Sequence, residues 1–147
     1  METILIQIIE IYLAGITGLY KGVPVGFAVG ASPYITAIFT ALGSLTAVFV
    51  LFFSGSAIKR RILRIYGNKK TEKSKGRVAR IMDKYGVIGL GLLAPGVIGP
   101  ILTVILGVLL VEKSRRFMIF LSIGIILWSA ALTIIGAISL DILKEVL

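Results

Sequence analysis

Residues 22–58, GVPVGFAVGASPYITAIFTALGSLTAVFVLFFSGSAI, decide the fold, because they carry no charged side chain. These 37 residues are too many for one membrane span of about 20 residues and too few for two spans with a loop. Proline and glycine interrupt the helical pattern at Ser32-Pro33 and at Gly43-Ser44. We therefore predict a re-entrant hairpin over residues 22–42, followed by a membrane span over 44–58.

A second interrupted stretch, YGVIGLGLLAPGVIGPILTVILGVLLV at 85–111, repeats this pattern. Pro95-Gly96 ends a first leg at 86–94 and Gly99-Pro100 opens a second leg to 111, so we predict a second re-entrant hairpin here. The two stretches align without gaps at a shift of 64 residues, which suggests an internal repeat. Four identities support that alignment: Gly22 with Gly86, Val23 with Val87, Leu42 with Leu106, and Gly43 with Gly107.

The composition indicates a membrane protein and limits its chemistry. Hydrophobic residues make up 57% and charged residues 16% of the chain, against about a quarter charged in a soluble domain. The mean hydropathy is +1.02. The sequence contains no histidine and no cysteine, which excludes disulfides and ordinary zinc sites. We expect no metal, no cofactor and no enzymatic activity, because no nucleophile–base pair is available.

The charge is concentrated in residues 59–84, which hold eleven basic and two acidic side chains. A basic stripe on a soluble protein suggests nucleic acid, but a short basic loop between apolar spans follows the positive-inside rule. We predict that this segment is cytoplasmic. Two amphipathic stretches within it, joined by a polar linker over 67–76, are expected to bind anionic lipid headgroups.

Two further apolar segments, 4–20 and 117–139, are predicted to span the membrane. The expected fold is therefore an all-α, multi-pass protein of the cell membrane, with about three spans and two re-entrant hairpins. The turn at Arg115-Arg116 is basic and hence cytoplasmic. The first hairpin then dips from outside and the second from the cytoplasm, which is the inverted repeat typical of secondary transporters.

The hairpin tips are the first candidates for a functional site. Ser32 with Pro33, and Pro95 with Gly96, are expected to meet near the membrane midplane, where unpaired N–H groups of half-helices suit a phosphate or carboxylate. The alternative is that proline and glycine only permit close helix packing. Three threonines offer hydroxyls to such a cavity, or bond back to their own helices: Thr36, Thr40 and Thr103.

Charged residues near the apolar segments supply the remaining candidates. Glu10 falls inside a predicted span, on one helical face with Lys21, and is a candidate for proton coupling or an interfacial residue. Lys21, beside Pro24, is expected either to attract an anionic headgroup or to anchor the helix at the interface. Arg115 and Arg116 are candidate ligands or topology determinants.

The segment KGVPVGFAVGASPYITAIFTALGSL resembles the first half of the small multidrug export family. The segment from Lys84 to Gly136 resembles, more distantly, the DedA membrane protein family in its Tyr-Gly start, its Pro-Gly and its Gly124 with Trp128. Together the resemblances cover residues 17–136 and imply re-entrant architecture and transport. The chain departs from DedA proteins where they carry arginines around the Pro-Gly tip; Leu92 and Ile98 stand there instead.

These observations predict a small secondary transporter or lipid translocase for an amphipathic substrate, such as a polyprenyl phosphate or a drug-like molecule, with possible proton coupling. Three spans enclose little volume, so a homo-oligomer is expected. The alternative is a non-transporting membrane organiser whose basic segment binds anionic lipid or protein partners. A wet cavity between the hairpin tips favours transport, and dry tips favour the organiser.

Overall fold

The computed structural model describes residues 1–54, 56–111 and 115–147. Within these ranges the chain is helical and contains no strand, which confirms the predicted all-α class. The helices are α1 (Glu2–Thr17), α2 (Leu19–Ala28), α3 (Pro33–Phe53), α4 (Ser56–Tyr66), α5 (Asn68–Val97), α6 (Pro100–Val111) and α7 (Arg115–Val146). The predicted turn at Glu112-Lys113-Ser114 lies outside the described residues.

Two of the described helices are long and apolar enough to cross a membrane. They are α3, with 21 residues, and α7, with 32 residues, or about 31 and 48 Å at 1.5 Å per residue. The predicted span at 117–139 lies entirely within α7. The other apolar helices are shorter, and α2 has only ten residues.

The first half of the chain divides into helices at other points than the sequence predicted. The segment 4–20 is broken at Gly18, whose φ of 141° is a conformation that glycine tolerates. The predicted turn at Ser32-Pro33 is present, since α2 ends at Ala28 and α3 begins at Pro33. However, Gly43-Ser44 does not end a helix: α3 continues to Phe53, and Gly43 is buried against the backbone of α1.

The second half also differs in its breaks. The polar residues 67–76, predicted as a linker, belong to α5 except for Gly67, since Lys and Glu are good helix formers. Gly86 interrupts α5 with a φ of 68°. Pro95 and Gly96 lie inside the helix, so the predicted tip there is wrong. The turn falls at Gly99, with a φ of 100°, and α6 begins at Pro100 and ends at Val111, which confirms the predicted second leg.

The residues form two compact units. The first unit comprises Met1–Leu45 with Ile126–Leu147, and therefore holds α1, α2, the start of α3 and the later part of α7. The second unit comprises Thr46–Ile125, with the end of α3, all of α4, α5 and α6, and the start of α7. Ser32-Pro33 belongs to the first unit and Pro95-Gly96 to the second.

Candidate functional site

In the first unit, α1 and α2 form an antiparallel helical hairpin with its tip at Gly18. Gln7 Nε2, on α1, donates a hydrogen bond of 2.6 Å to the carbonyl oxygen of Val29, just beyond α2. After the tip, the chain therefore runs back along α1 until Val29 lies beside Gln7. The structure therefore contains a helical hairpin over residues 2–28. The helical pair predicted over 22–42 is present as well, since α2 packs on the start of α3 through Gly22 with Thr40 and Gly26 with Thr36.

This hairpin packs on α3 through residues without bulky side chains. Gly15 lies against the α3 backbone, where an added Cβ would stand 2.7 Å from the carbonyl oxygen of Thr40. The Ser44 hydroxyl donates a hydrogen bond of 2.8 Å to the carbonyl oxygen of Gly15. On the returning helix, a Cβ at Gly22 would stand 2.7 Å from Thr40 Oγ1. The tip at Gly18 therefore lies beside the middle of α3.

Thr36 and Thr40 line this contact and are fully buried. Their side chains touch Gly26 and Gly22 so closely that no ligand fits between the helices. Neither hydroxyl oxygen has a hydrogen-bond partner among the described residues. The contact between α2 and α3 is therefore closely packed and is not a wet cavity. This agrees with the alternative prediction that these residues only permit close helix packing. In the second unit, the Thr103 hydroxyl bonds back to the Gly99 carbonyl oxygen at 2.7 Å.

The second unit contains a hairpin of the same kind, formed by α5 after Gly86 and by α6. It packs on the first part of α7. A Cβ at Gly91 would stand 2.8 Å from the amide nitrogen of Leu121, and one at Gly124 would stand 3.0 Å from the Cα of Leu92. On the returning helix, Gly107 lies against the ring of Phe117.

The two hairpins correspond at a shift of 81 residues. In each unit the tip is a glycine with positive φ, and a glycine of the long helix packs on the first helix of the hairpin. A glycine of the returning helix packs on the long helix, on Thr36 in one unit and on Phe117 in the other. Seven identities over residues 2–45 accompany this geometry: Gly15 with Gly96, Gly18 with Gly99, Val23 with Val104, Gly26 with Gly107, Ile38 with Ile119, Phe39 with Phe120, and Gly43 with Gly124.

The shift of 64 residues inferred from the sequence pairs residues in unlike places. Gly22 is an ordinary helical residue of α2, whereas its predicted counterpart Gly86 breaks α5. Gly43 lies in the middle of α3, whereas Gly107 lies on the returning helix of a hairpin. Only the shift of 81 residues matches position, conformation and packing together.

The charged candidates of the first unit are exposed. Glu10 lies on α1 and Lys21 in the first turn of α2. Because Gly18 separates the two helices, Glu10 and Lys21 do not share the single helical face that the sequence suggested. Lys21 is instead three residues from the hairpin tip.

The proline and serine candidates have structural positions. Ser32 is exposed and precedes α3, where its hydroxyl accepts a hydrogen bond of 3.4 Å from the amide of Ile35. Pro33 is the first residue of α3, a favoured place for proline. Pro24 is exposed inside α2. Pro95 and Gly96 are buried inside α5, a few residues before the turn.

Pro24 lines an apolar groove of the first unit, here termed the Tyr20 groove, of about 470 Å³. Its lining contains no charged side chain. The residues that line it are Tyr20, Val23, Pro24, Phe27, Leu132, Ile135, Gly136, Ser139 and Leu140.

Arg115 lines a groove of the second unit, here termed the Arg115 groove, of about 390 Å³. Its remaining lining is almost entirely apolar: Phe49, Phe52, Phe53, Met118, Ile119 and Ser122. Arg115 and Arg116 are both exposed, but Arg116 does not line this groove. The sequence did not predict this groove, because phenylalanines before Ser54 are typical of any apolar membrane span.

Comparisons with known proteins do not identify the chain. No protein-family model matches it. Among curated proteins and among solved structures, none matches either. The resemblance to the small multidrug export and DedA families thus stays a prediction from the quoted residues.

Proposed function

We propose that the chain is a multi-pass protein of the cell membrane that moves an anionic amphipathic substrate between the two leaflets. The observation that carries this proposal is the repeated arrangement of a short helical hairpin packed along a long apolar helix. In the first unit the hairpin tip reaches only half the length of α3. A lipid-linked phosphate is the substrate class that fits best.

The charge distribution supports opposite orientations for the two hairpins. The basic segment 59–84 follows α3 and belongs in the cytoplasm. Because α3 is apolar throughout, its first residue, Pro33, then lies at the outer surface. The first hairpin accompanies the early part of α3 and enters from outside. The second hairpin follows the cytoplasmic basic segment and enters from the cytoplasm, which makes the repeat an inverted one.

This topology revises where the site is expected. The turn at Ser32-Pro33 lies at the outer surface, and the tips within the membrane are Gly18 and Gly99. At half depth, backbone without helical hydrogen bonds is tolerated only when buried in protein or lining a water-filled cavity. The first turns of α2 and α6 follow these tips, and helix starts favour a negatively charged group.

We propose that Lys21 binds the phosphate of the substrate. It lies in the first turn of α2, three residues after the tip, and hence near the midplane in the proposed topology. An ammonium group at the centre of a bilayer costs roughly 2.5–3.5 kcal/mol on insertion scales. Contact with water or with an anion lowers this cost, and the phosphate of the substrate would be such an anion.

A flux assay with purified protein in proteoliposomes tests the proposal. We expect wild-type protein to translocate a lipid phosphate, and Lys21→Met to reduce the rate at least tenfold while its thermal stability is unchanged. Lys144→Met, near the exposed end of α7, is the matched control and should keep wild-type flux. Glu10→Gln, assayed with and without a proton gradient, reports whether transport is proton-coupled.

The alternative, a membrane organiser, is supported by the close, dry packing of α2 on Thr36 and Thr40. It is also supported by exposed basic side chains such as Arg60 of α4 and Lys69 of α5. It predicts no flux of lipid phosphate or of drug-like substrates under any gradient. It also predicts binding to anionic vesicles that is lost when lysines of α5 are neutralised. Flux that depends on Lys21 would exclude this alternative.

A further inference from the structure

The Arg115 groove has the chemistry of an amphiphile site. Its volume of about 390 Å³ is within the range of roughly 300–1,000 Å³ typical of small-molecule sites. Three phenylalanines, a methionine and an isoleucine form its walls, and Arg115 is the only charged group among the described residues that line it. Phe53 is 72% exposed and Phe49 is 45% exposed, so the groove is open along one side.

The charge and the apolar surface are separated along the groove. Arg115 is the first residue of α7, and Ser122 lies seven residues further along that helix, about 10 Å away. On the other wall, Phe53 is the last residue of α3 and Phe49 lies one turn further back. One end of the groove is therefore basic and the remainder apolar, as in a site for a charged head and a hydrocarbon tail.

We propose that the Arg115 groove holds one acyl chain of an anionic lipid of the cytoplasmic leaflet, with the headgroup phosphate bound to Arg115. This inference rests on the membrane topology of the proposed function but not on transport itself. In that topology the end of α3 and the start of α7 both lie at the cytoplasmic surface, so the basic end is at headgroup depth.

Charge complementarity favours an anionic occupant over a neutral one. Residues 59–84 carry eleven basic side chains on the same side of the membrane and attract anionic lipid to it. Arginine forms bidentate hydrogen bonds with phosphate. The Tyr20 groove is as large and as apolar but has no basic residue in its lining, so it should show no headgroup preference.

Adjacent arginines provide a matched test. Lipid binding to the purified full-length protein is measured by native mass spectrometry with phosphatidylglycerol and with phosphatidylcholine. We expect tighter binding of phosphatidylglycerol, weakened about tenfold by Arg115→Gln and less than twofold by Arg116→Gln. Ser122→Phe, which fills the groove and leaves both arginines, should reduce the binding of phosphatidylglycerol as well.

Three results would overturn the proposal. These are equal losses in Arg115→Gln and Arg116→Gln, equal binding of the two lipids, and full displacement of the lipid by inorganic phosphate, which would indicate a site for the free anion. The flux assay is independent of this measurement. Binding that depends on Arg115 without any flux would retain the groove and reject transport, whereas flux with unselective binding would reject the groove alone.

Discussion

The hairpin of the first unit packs on its long helix through threonine and serine, whereas the hairpin of the second packs on a phenylalanine ring. The glycines of the returning helices, Gly26 and Gly107, and of the long helices, Gly43 and Gly124, are nevertheless at equivalent positions, at a shift of 81 residues. The backbone arrangement thus depends on the glycines, and the facing side chains are free to differ.

The charged groups differ between the units as well. Lys21 follows the first tip, and the equivalent residue after the second tip is Leu102. Conversely, Arg115 begins the second long helix, where the first has Tyr34 at the equivalent position. The two units thus share the positions of these glycines but differ in where their basic side chains lie.

The largest effects are expected where glycines of the long helices meet the hairpin backbone. Gly43→Leu and Gly124→Leu should each destabilise the protein by about 3 kcal/mol or more, because the new side chain overlaps backbone atoms. Thermal unfolding in detergent measures this. Gly76→Leu is the control, since nothing lies near Gly76 in α5, and it should be neutral or slightly stabilising. A large loss at one glycine only would break the proposed equivalence.

Smaller effects are expected at the tips. Gly18→Ala and Gly99→Ala place a Cβ on backbone with φ of 141° and 100°, which costs about 1–3 kcal/mol each. No neighbouring atom lies near either position, so the cost is conformational. The same unfolding assay applies, with Gly76→Ala as the control. Unchanged stability in both variants would contradict the assignment of the tips.

The smallest effect concerns the buried hydroxyl of the first unit. Thr40→Val removes an unpaired hydroxyl while keeping the shape of the side chain, so stability should stay unchanged or rise by up to about 1 kcal/mol. Ser129→Ala removes a hydrogen bond of 2.8 Å to the carbonyl oxygen of Ala37 and should cost about 0.5–1.5 kcal/mol. A loss of stability in Thr40→Val would mean that its hydroxyl is paired.

Sequence patterns predicted those features that depend on long runs of residues. The all-helical class, the position of α7 and the turn before Pro33 follow from apolar length and from proline placement. The break at Gly18 escaped prediction because a single glycine in an apolar run is compatible with a continuous span. At Pro95 the error was the opposite one, because a break was predicted where the helix continues. Helix α5 includes Pro95 and ends at Val97, and the turn is at Gly99, four residues after Pro95.

The repeat and the groove depend on contacts between distant segments. Glycine is frequent in membrane helices, so many shifts, including the shift of 64 residues, give a few identities. Packing removes this ambiguity, because Gly43 and Gly124 each face the first helix of their own hairpin. The Arg115 groove likewise forms only where α3 and α7 bring Phe53 and Arg115 together.

The most direct test of the opposed hairpins is the accessibility of two single cysteines, for which the chain provides a cysteine-free background. Tyr34, 82% exposed beside the turn at Ser32-Pro33, and Gly76, in the basic segment, are each replaced by cysteine. A membrane-impermeant maleimide should label position 34 from outside in intact cells, and position 76 only after permeabilisation. Labelling of both positions from one side, or no labelling at position 34 from either side, would contradict the account.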